Sequence, residues 1–455
     1  MSTNSSQFRS KLGLIAATVG SAVGLGNIWR FPAEAQAGGG AAFLLVYILC
    51  VCILGIPVMV AEFSLGRAGR TDVIGAFINV TPEKRAWSLV GWLSVITPTL
   101  ISIFYMVVTG WTLTYLWQSL SGNLFSGVTH TGADMGYFTE KMNQYIRTPE
   151  MPLLFTVAAV VLNLGVLLGG VSKGIERLSN ILMPLLFVLL LIFCGVAMTL
   201  PGAGAGLEYF LKPDFSHITP STILSALGQA FFSLSLGMGI LVTYAAYYPA
   251  RTRLMRTAIT VVVLDMLVAV MMGVIIFPAI MTFDLDGHGL AGTTLVFVTL
   301  PEVFAHMPGS SVWSVLFFML LVIAAITSTV SITEVATRCL QDRLNLSRRA
   351  AVFWLMIPIL ILSAVCSQSF STLGGFTLAG MNMFDFLDSV TAKIMLPVAS
   401  IGLCIYMGWI APRKLLQNEM TNFGKFRSRL FVPVLMTVRY LAPLLILLVL
   451  ISPLL

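Results

Sequence analysis

Asp265 stands in the middle of the apolar run VVVLDMLVAV, residues 261–270. An ionisable side chain in such a run costs at least about 2.5 kcal/mol near a bilayer centre, so it marks either a functional site or a carboxylate hydrogen-bonded between helices. A second polar set lies in GSAVGLGNIWRFP, residues 20–32, which holds Gly20, Gly24, Gly26, Asn27, Arg30 and Pro32 inside another apolar stretch. A third is GQAFFSLSLGMG, residues 228–239, with Gln229, Ser233 and Ser235 among its glycines. Gly costs about 1 kcal/mol and Pro about 3 kcal/mol in a helix interior. Both segments therefore read as interrupted helices. Backbone freed from a helix offers amides at one half-helix's N-terminal end, which favour a carboxylate, and carbonyls at the other's C-terminal end, which suit a hard cation. An amino acid together with sodium is a natural occupant. Enzyme chemistry has no such footing. The chain lacks HExxH, paired Cys/His sets and a Ser/His/Asp array, and His130, His217, His288 and His306 all fall in predicted loops. Cys50, Cys52, Cys194, Cys339, Cys366 and Cys404 form no CxxC pattern and read as small apolar residues.

The elements that must hold these residues are membrane helices. Hydrophobic residues make up 57% of the 455-residue chain and charged residues only 10%, against about 25% in ordinary soluble domains. Stretches long enough to cross the hydrocarbon core fall at 12–36, 41–68, 87–119, 151–170, 177–201, 221–246, 257–283, 312–340, 350–366, 384–410 and 431–454. That makes an all-α polytopic protein of eleven spans, with its two termini on opposite sides. No removable targeting segment is expected at the start MSTNSSQFRSK.

Orientation follows from the basic loop residues. One set of alternate loops holds clusters such as Arg67 and Arg70, Lys84 and Arg85, Arg251, Arg253 and Arg256, and Arg413 and Lys414; the opposite set holds only Lys141, Arg147 and Lys212. The N-terminus is thus expected in the cytoplasm and the C-terminus outside. The net charge of +7 is explained by topology, and no nucleic-acid partner is needed. The external loops lie near 120–150, 202–220, 284–310 and 367–383. The last but one contains TTLVFVTLPEVF, apolar but too short to span, and reads as a re-entrant or capping hairpin.

Unwound backbone in lipid must find partners, because each unsatisfied group costs several kcal/mol. Gly20-xxx-Gly24 also fits a small-residue packing face between helices. That alternative leaves unexplained both Asn27, Arg30 and Pro32 and the second break at the matching position five spans on. The pairing suggests two five-helix halves, 10–200 and 220–410, in inverted repeat, followed by a last helix at 430–455, all in one transporter domain of residues 1–455.

At these residues the chain resembles the neurotransmitter:sodium symporter family, in particular its bacterial amino-acid members with the leucine-transporter-like fold. GSAVGLGNIWRFP looks like the family's first-helix signature. AGGGAAF, GIPVMVAEFSLGR, SKGIERLSNILMP, FFSLSLGMG and AAITSTVSITE follow in order. The resemblance implies a substrate site built from Ser21, Ala22, Gly24, Leu25, Gly26, Ile101, Tyr105, Phe232, Ser233, Ser235, Met238, Ser328 and Ile332. The substrate carboxylate would meet amides near Leu25 and Gly26 and the Tyr105 hydroxyl, and the amino group carbonyls near Ala22, Phe232 and Ser233. Amine carriers of the family place an aspartate at Gly24; a glycine leaves room for a substrate with its own carboxylate. Two sodium sites are implied: one from Ala22, Asn27, Ser233 and Asp265, the other from Gly20, Val23, Ala324, Thr327 and Ser328.

Related transporters place an amide at Asp265 and bind chloride nearby. Tyr47, Gln229 and Ser233 match the chloride positions, but the fourth is Ala269, without a hydroxyl. The Asp265 carboxylate is therefore expected to replace the anion, so that no chloride is needed. By the same resemblance Arg30 gates the outer side with Asp388, or second with Asp385, while Tyr247 and Asp342 match inner-gate positions. Phe8 stands where the family has a tryptophan, and Arg9 or Lys11 is left as the basic partner. Gly174 and Pro184 match a local-unwinding motif. Glu62, deep in the second span, reads as an interhelical partner.

The expected protein is a sodium-coupled importer of a neutral, hydrophobic or aromatic L-amino acid in an inner membrane. Its alternative is a non-cycling amino-acid sensor of the same fold. Oligomeric state is not legible.

Overall fold

The computed structural model describes residues 7–128, 135–283 and 292–451. Its membrane helices, in chain order, are α1 (Lys11–Ala22), α2 (Gly26–Ala37), α3 (Ala41–Gly69), α4 (Arg85–Leu120), α5 (Glu150–Leu168), α6 (Val171–Ala197), α7 (Pro220–Ser233), α8 (Ile240–Ala246), α9 (Leu254–Phe283), α10 (Ser310–Leu344), α11 (Arg348–Phe370), α12 (Met383–Ile410) and α13 (Phe431–Ile451). Nine of these are each long and apolar enough to cross a bilayer, and α1 with α2 makes a tenth across a 54° bend, among the described residues. The short helices α7 and α8 reach the expected eleven only if taken together as one crossing. His130 and His288 lie outside the described residues.

Burial differs from that of a soluble domain at its margins. Leu89, Leu191 and Trp354 are about two-thirds exposed, while Asn27, Glu62 and Asp265 are fully buried within a largely apolar core. Apolar side chains can face outward because lipid is as apolar as they are. Among the described residues strands amount to one two-residue pair, Thr377–Leu378 against Met381–Asn382.

The expected hairpin at 293–304 is a short helix, Leu295–Ala305, whose first residues are buried. Phe297 packs edge-on to Trp111 of α4, with ring centroids 6.0 Å apart, and the segment caps the bundle. The fifth span does not follow the unwinding motif: helix continues from Glu176 to Ala197 with Pro184 inside it, preceded by a wide π-helical turn at Val171–Ile175. Proline lacks an N–H, yet the helix runs through Pro184 without a break.

Candidate functional site

The first break occurs where Val23 leaves helical geometry at φ −70°, ψ 99°. Helix resumes at Gly26 with a π-helical turn. Neighbours answer the loosened backbone. The Leu25 amide donates to Tyr105 Oη at 3.3 Å, the Ser21 carbonyl accepts from Ser235 Oγ at 2.9 Å, and the Gly26 carbonyl accepts from Gln229 Nε2 at 3.1 Å. A Cβ on Gly24 would lie 2.7 Å from Ser328 Oγ and 3.2 Å from Tyr105 Oη, and one on Gly26 would lie 2.8 Å from the Phe232 ring. Glycine at both positions is what lets α4, α7 and α10 close in on the break.

The second break runs from Leu234 to Gly239. Ser235, Gly237 and Gly239 all take positive φ (53°, 79° and 69°), and the Leu236 amide closes back onto the Phe231 carbonyl at 3.2 Å. The Gly237 amide, turned away from its own helix, donates to Glu62 Oε1 at 2.7 Å. Glu62 is thus an interhelical partner of the broken segment, as its depth in the second span suggested.

Beside the breaks Asp265 is the hub of a buried network. Its carboxylate accepts from Ser233 Oγ at 2.6 Å, Asn27 Nδ2 at 2.7 Å and Tyr47 Oη at 3.4 Å. Ser233 Oγ also reaches Asn27 Oδ1 at 2.9 Å and accepts from Tyr47 Oη at 3.3 Å. The structure so brings Asn27, Ser233 and Asp265 together, with two of the anticipated chloride positions turned onto the carboxylate. Gln229 goes elsewhere, to Gly26.

On the other side of α1, Gly20 approaches Thr327 closely: a Cβ there would sit 3.3 Å from Thr327 Cβ. Thr327 Oγ1 donates to the carbonyls of Ile323 (2.9 Å) and Ala324 (3.2 Å). Ile101 lies one helical turn from Tyr105, and Ile332 one turn from Ser328, so each shares a face with a residue at the first break. Both are buried, as is Met238 within the second break.

The contacts of Arg30 differ from expectation. Arg30 Nε lies 3.5 Å from Glu34 Oε1, one turn along its own helix, and the guanidinium covers the Phe232 ring at 4.9 Å. Neither Asp388 nor Asp385 takes it; Asp385 Oδ2 instead accepts from Asn382 Nδ2 at 2.7 Å. Glu34 is the nearer carboxylate and is itself fixed by Ser225 Oγ at 2.5 Å. A cavity of about 420 Å³ therefore stands beside Arg30 and Phe232, bounded opposite by Lys393, Leu396 and Ser400.

The end of the bundle at Phe8 is packed shut. Phe8, 3% exposed, meets the rings of Tyr244, Tyr247 and Tyr248 at centroid distances of 5.9–6.4 Å. Its neighbours are anchored by a residue sequence reasoning missed. Glu176 accepts from the Arg9 amide at 2.9 Å, the Ser10 amide at 3.0 Å and Ser10 Oγ at 2.8 Å. Asp342 does not pair with Arg9 or Lys11. It takes Arg338 Nε at 2.9 Å, Thr71 Oγ1 at 2.8 Å and the Asp72 amide at 2.9 Å. Tyr247 donates to Glu334 at 2.9 Å, and Arg348 pairs with the same carboxylate at 2.7 Å. Glu334 closes the AAITSTVSITE run, four residues before Arg338, and that spacing was its only signal.

Removing a buried aromatic ring costs about 3 kcal/mol at the least. Phe8→Ala is accordingly expected to raise hydrogen exchange at the Gly13 and Leu14 amides, both bonded to Ser10, by about 100-fold. Unchanged exchange there would mean that Phe8 does not hold this end closed.

The chain is similar to known proteins along almost its whole length. The family model described as "Sodium:neurotransmitter symporter family" matches residues 5–134 and 128–455. The chain is 33% identical to a sodium-dependent transporter of Haemophilus influenzae over 99% of both chains. It is 32% identical to the sodium-dependent transporter YhdH of Bacillus subtilis, over 97% of this chain and 96% of that one. Among solved structures, MhsT in complex with L-phenylalanine superposes with a TM-score of 0.87 at 37% identity, over 98% of this chain and 99% of that one.

Proposed function

Because the chain belongs to the sodium:neurotransmitter symporter family, we propose that it imports a neutral, hydrophobic or aromatic L-amino acid with sodium, by alternating access and without chloride. It is a multi-pass membrane protein and not an enzyme. The observation that carries the reading is the gap at Val23–Leu25. There an amide faces the Tyr105 hydroxyl, and Gly24 keeps a side chain out of the space before Ser328. A substrate carboxylate replaces what a side chain at Gly24 would occupy. The L-phenylalanine held by MhsT supports the aromatic end of the range.

Sodium is cargo here. Asn27, Ser233 and Asp265 with the Ala22 carbonyl form one oxygen-only donor set. Gly20, Val23, Ala324, Thr327 and Ser328 form the other. Two ions crossing about 100 mV down a roughly tenfold gradient supply about 7 kcal/mol, enough for about 10⁵-fold accumulation; one ion supplies about half that energy. The loop charges favour insertion in an inner membrane with the N-terminus in the cytoplasm and the C-terminus outside, and the paired breaks favour inverted halves at 10–200 and 220–410 with a last helix at 430–455.

The test is a thermal-shift screen of the standard amino acids in sodium and in potassium, followed by counterflow in proteoliposomes. A saturating substrate at about 100 times Kd should stabilise the protein by about 2.7 kcal/mol in sodium and not in potassium. No stabilising amino acid in sodium would discard the substrate class. Binding without counterflow would leave a sensor.

A further inference from the structure

Beside the Phe8 plug lies a second cavity, of about 380 Å³, between the start of α1 and the start of α9. Arg9 and Lys11 line one wall, and Arg251, Arg253 and Arg256 the other. None of these five side chains makes an ion pair among the described residues. Arg253 rests its guanidinium 4.0 Å over the Phe426 ring. The carboxylate that touches this stretch, Glu176, is committed to the amides of Arg9 and Ser10 and the Ser10 hydroxyl. All five are exposed and gather one sign of charge around a single cavity, which favours an anion there.

The surroundings select the kind of anion. Leu14 and Ile15 floor the cavity. From its rim the exposed apolar side chains Ile259, Val263 and Leu267 continue along α9, and Leu12, 68% exposed, flanks it on α1. A cationic mouth with an apolar runway matches an amphiphile: a phosphate head with acyl chains lying against the helices.

We propose that this cavity binds the headgroup of an anionic phospholipid. The phosphate bridges Arg9 and Lys11 to Arg251, Arg253 and Arg256. It thereby ties α1 to the start of α9 and holds Phe8 among its tyrosines, so anionic lipid favours closure of this end. The inference rests on the cavity alone and is independent of which solute is carried.

Native mass spectrometry of the full chain, titrated with phosphatidylglycerol or phosphatidylcholine, tests it. Phosphatidylglycerol should be retained and phosphatidylcholine lost. The triple variant R251Q/R253Q/R256Q should bind phosphatidylglycerol about 100-fold more weakly, at about a fivefold loss per charge. The pair R413Q/K414Q, basic but outside the cavity, should bind it like the parent. Equal retention of the two lipids by the parent would overturn the proposal even if the triple variant failed to fold. So would undiminished binding by a folded triple variant, or inorganic phosphate alone stabilising the parent as much as phosphatidylglycerol does.

Discussion

Replacing Asp265 by serine is expected to make uptake depend on chloride. In the parent, uptake should be the same in chloride and in gluconate, because the negative charge beside the Asn27–Ser233 donor set is already built in. Removing one partner of a buried charge pair costs about 3–5 kcal/mol, so sodium affinity in gluconate should fall about 10³-fold. Added chloride should recover much of it. Tyr47 and Ser233 already point hydroxyls at the carboxylate, and the new serine contributes a third beside Ala269, which has none. Parent uptake that requires chloride would refute the idea, as would a variant whose sodium dependence ignores it.

The other large effect is expected at Gly24. Gly24→Asp puts a carboxylate into the space before Ser328 and Tyr105, where a Cβ alone already crowds the two hydroxyls. A like charge facing the substrate carboxylate costs several kcal/mol, so amino-acid affinity should drop by about 10³-fold. The same carboxylate pairs the ammonium group of a decarboxylated substrate. Sodium-dependent binding of phenethylamine should therefore appear in the variant and be absent from the parent. Retained amino-acid uptake would place the substrate elsewhere.

Much of the architecture was legible because the bilayer imposes a length on every span and forbids unpaired backbone. Helix ends fell within a few residues of expectation for α4, α9 and α10. Both breaks announced themselves through glycines clustered with polar side chains inside otherwise apolar spans. The Asn27–Ser233–Asp265 association was foreseen from family motifs, and its hydrogen bonds could not have been read from spacing. Partners far apart in sequence were the blind spot. Glu176 anchors Arg9 and Ser10 across a separation of 167 residues, and Glu334 meets Tyr247 across 87. Arg30 went the other way: a distant aspartate was expected, and the carboxylate one turn along its own helix took it. Local geometry is cheap in entropy, so a reachable i,i+4 partner prevails over a distant one.

Ser235 reaches the carbonyl of Ser21 and Gln229 reaches that of Gly26, so stitches cross from one interrupted helix to the other on both sides of the first gap. The two discontinuities are thereby geared together. Straightening or tilting either rod alone breaks a hydrogen bond to its counterpart, so the two breaks are expected to shift as one unit.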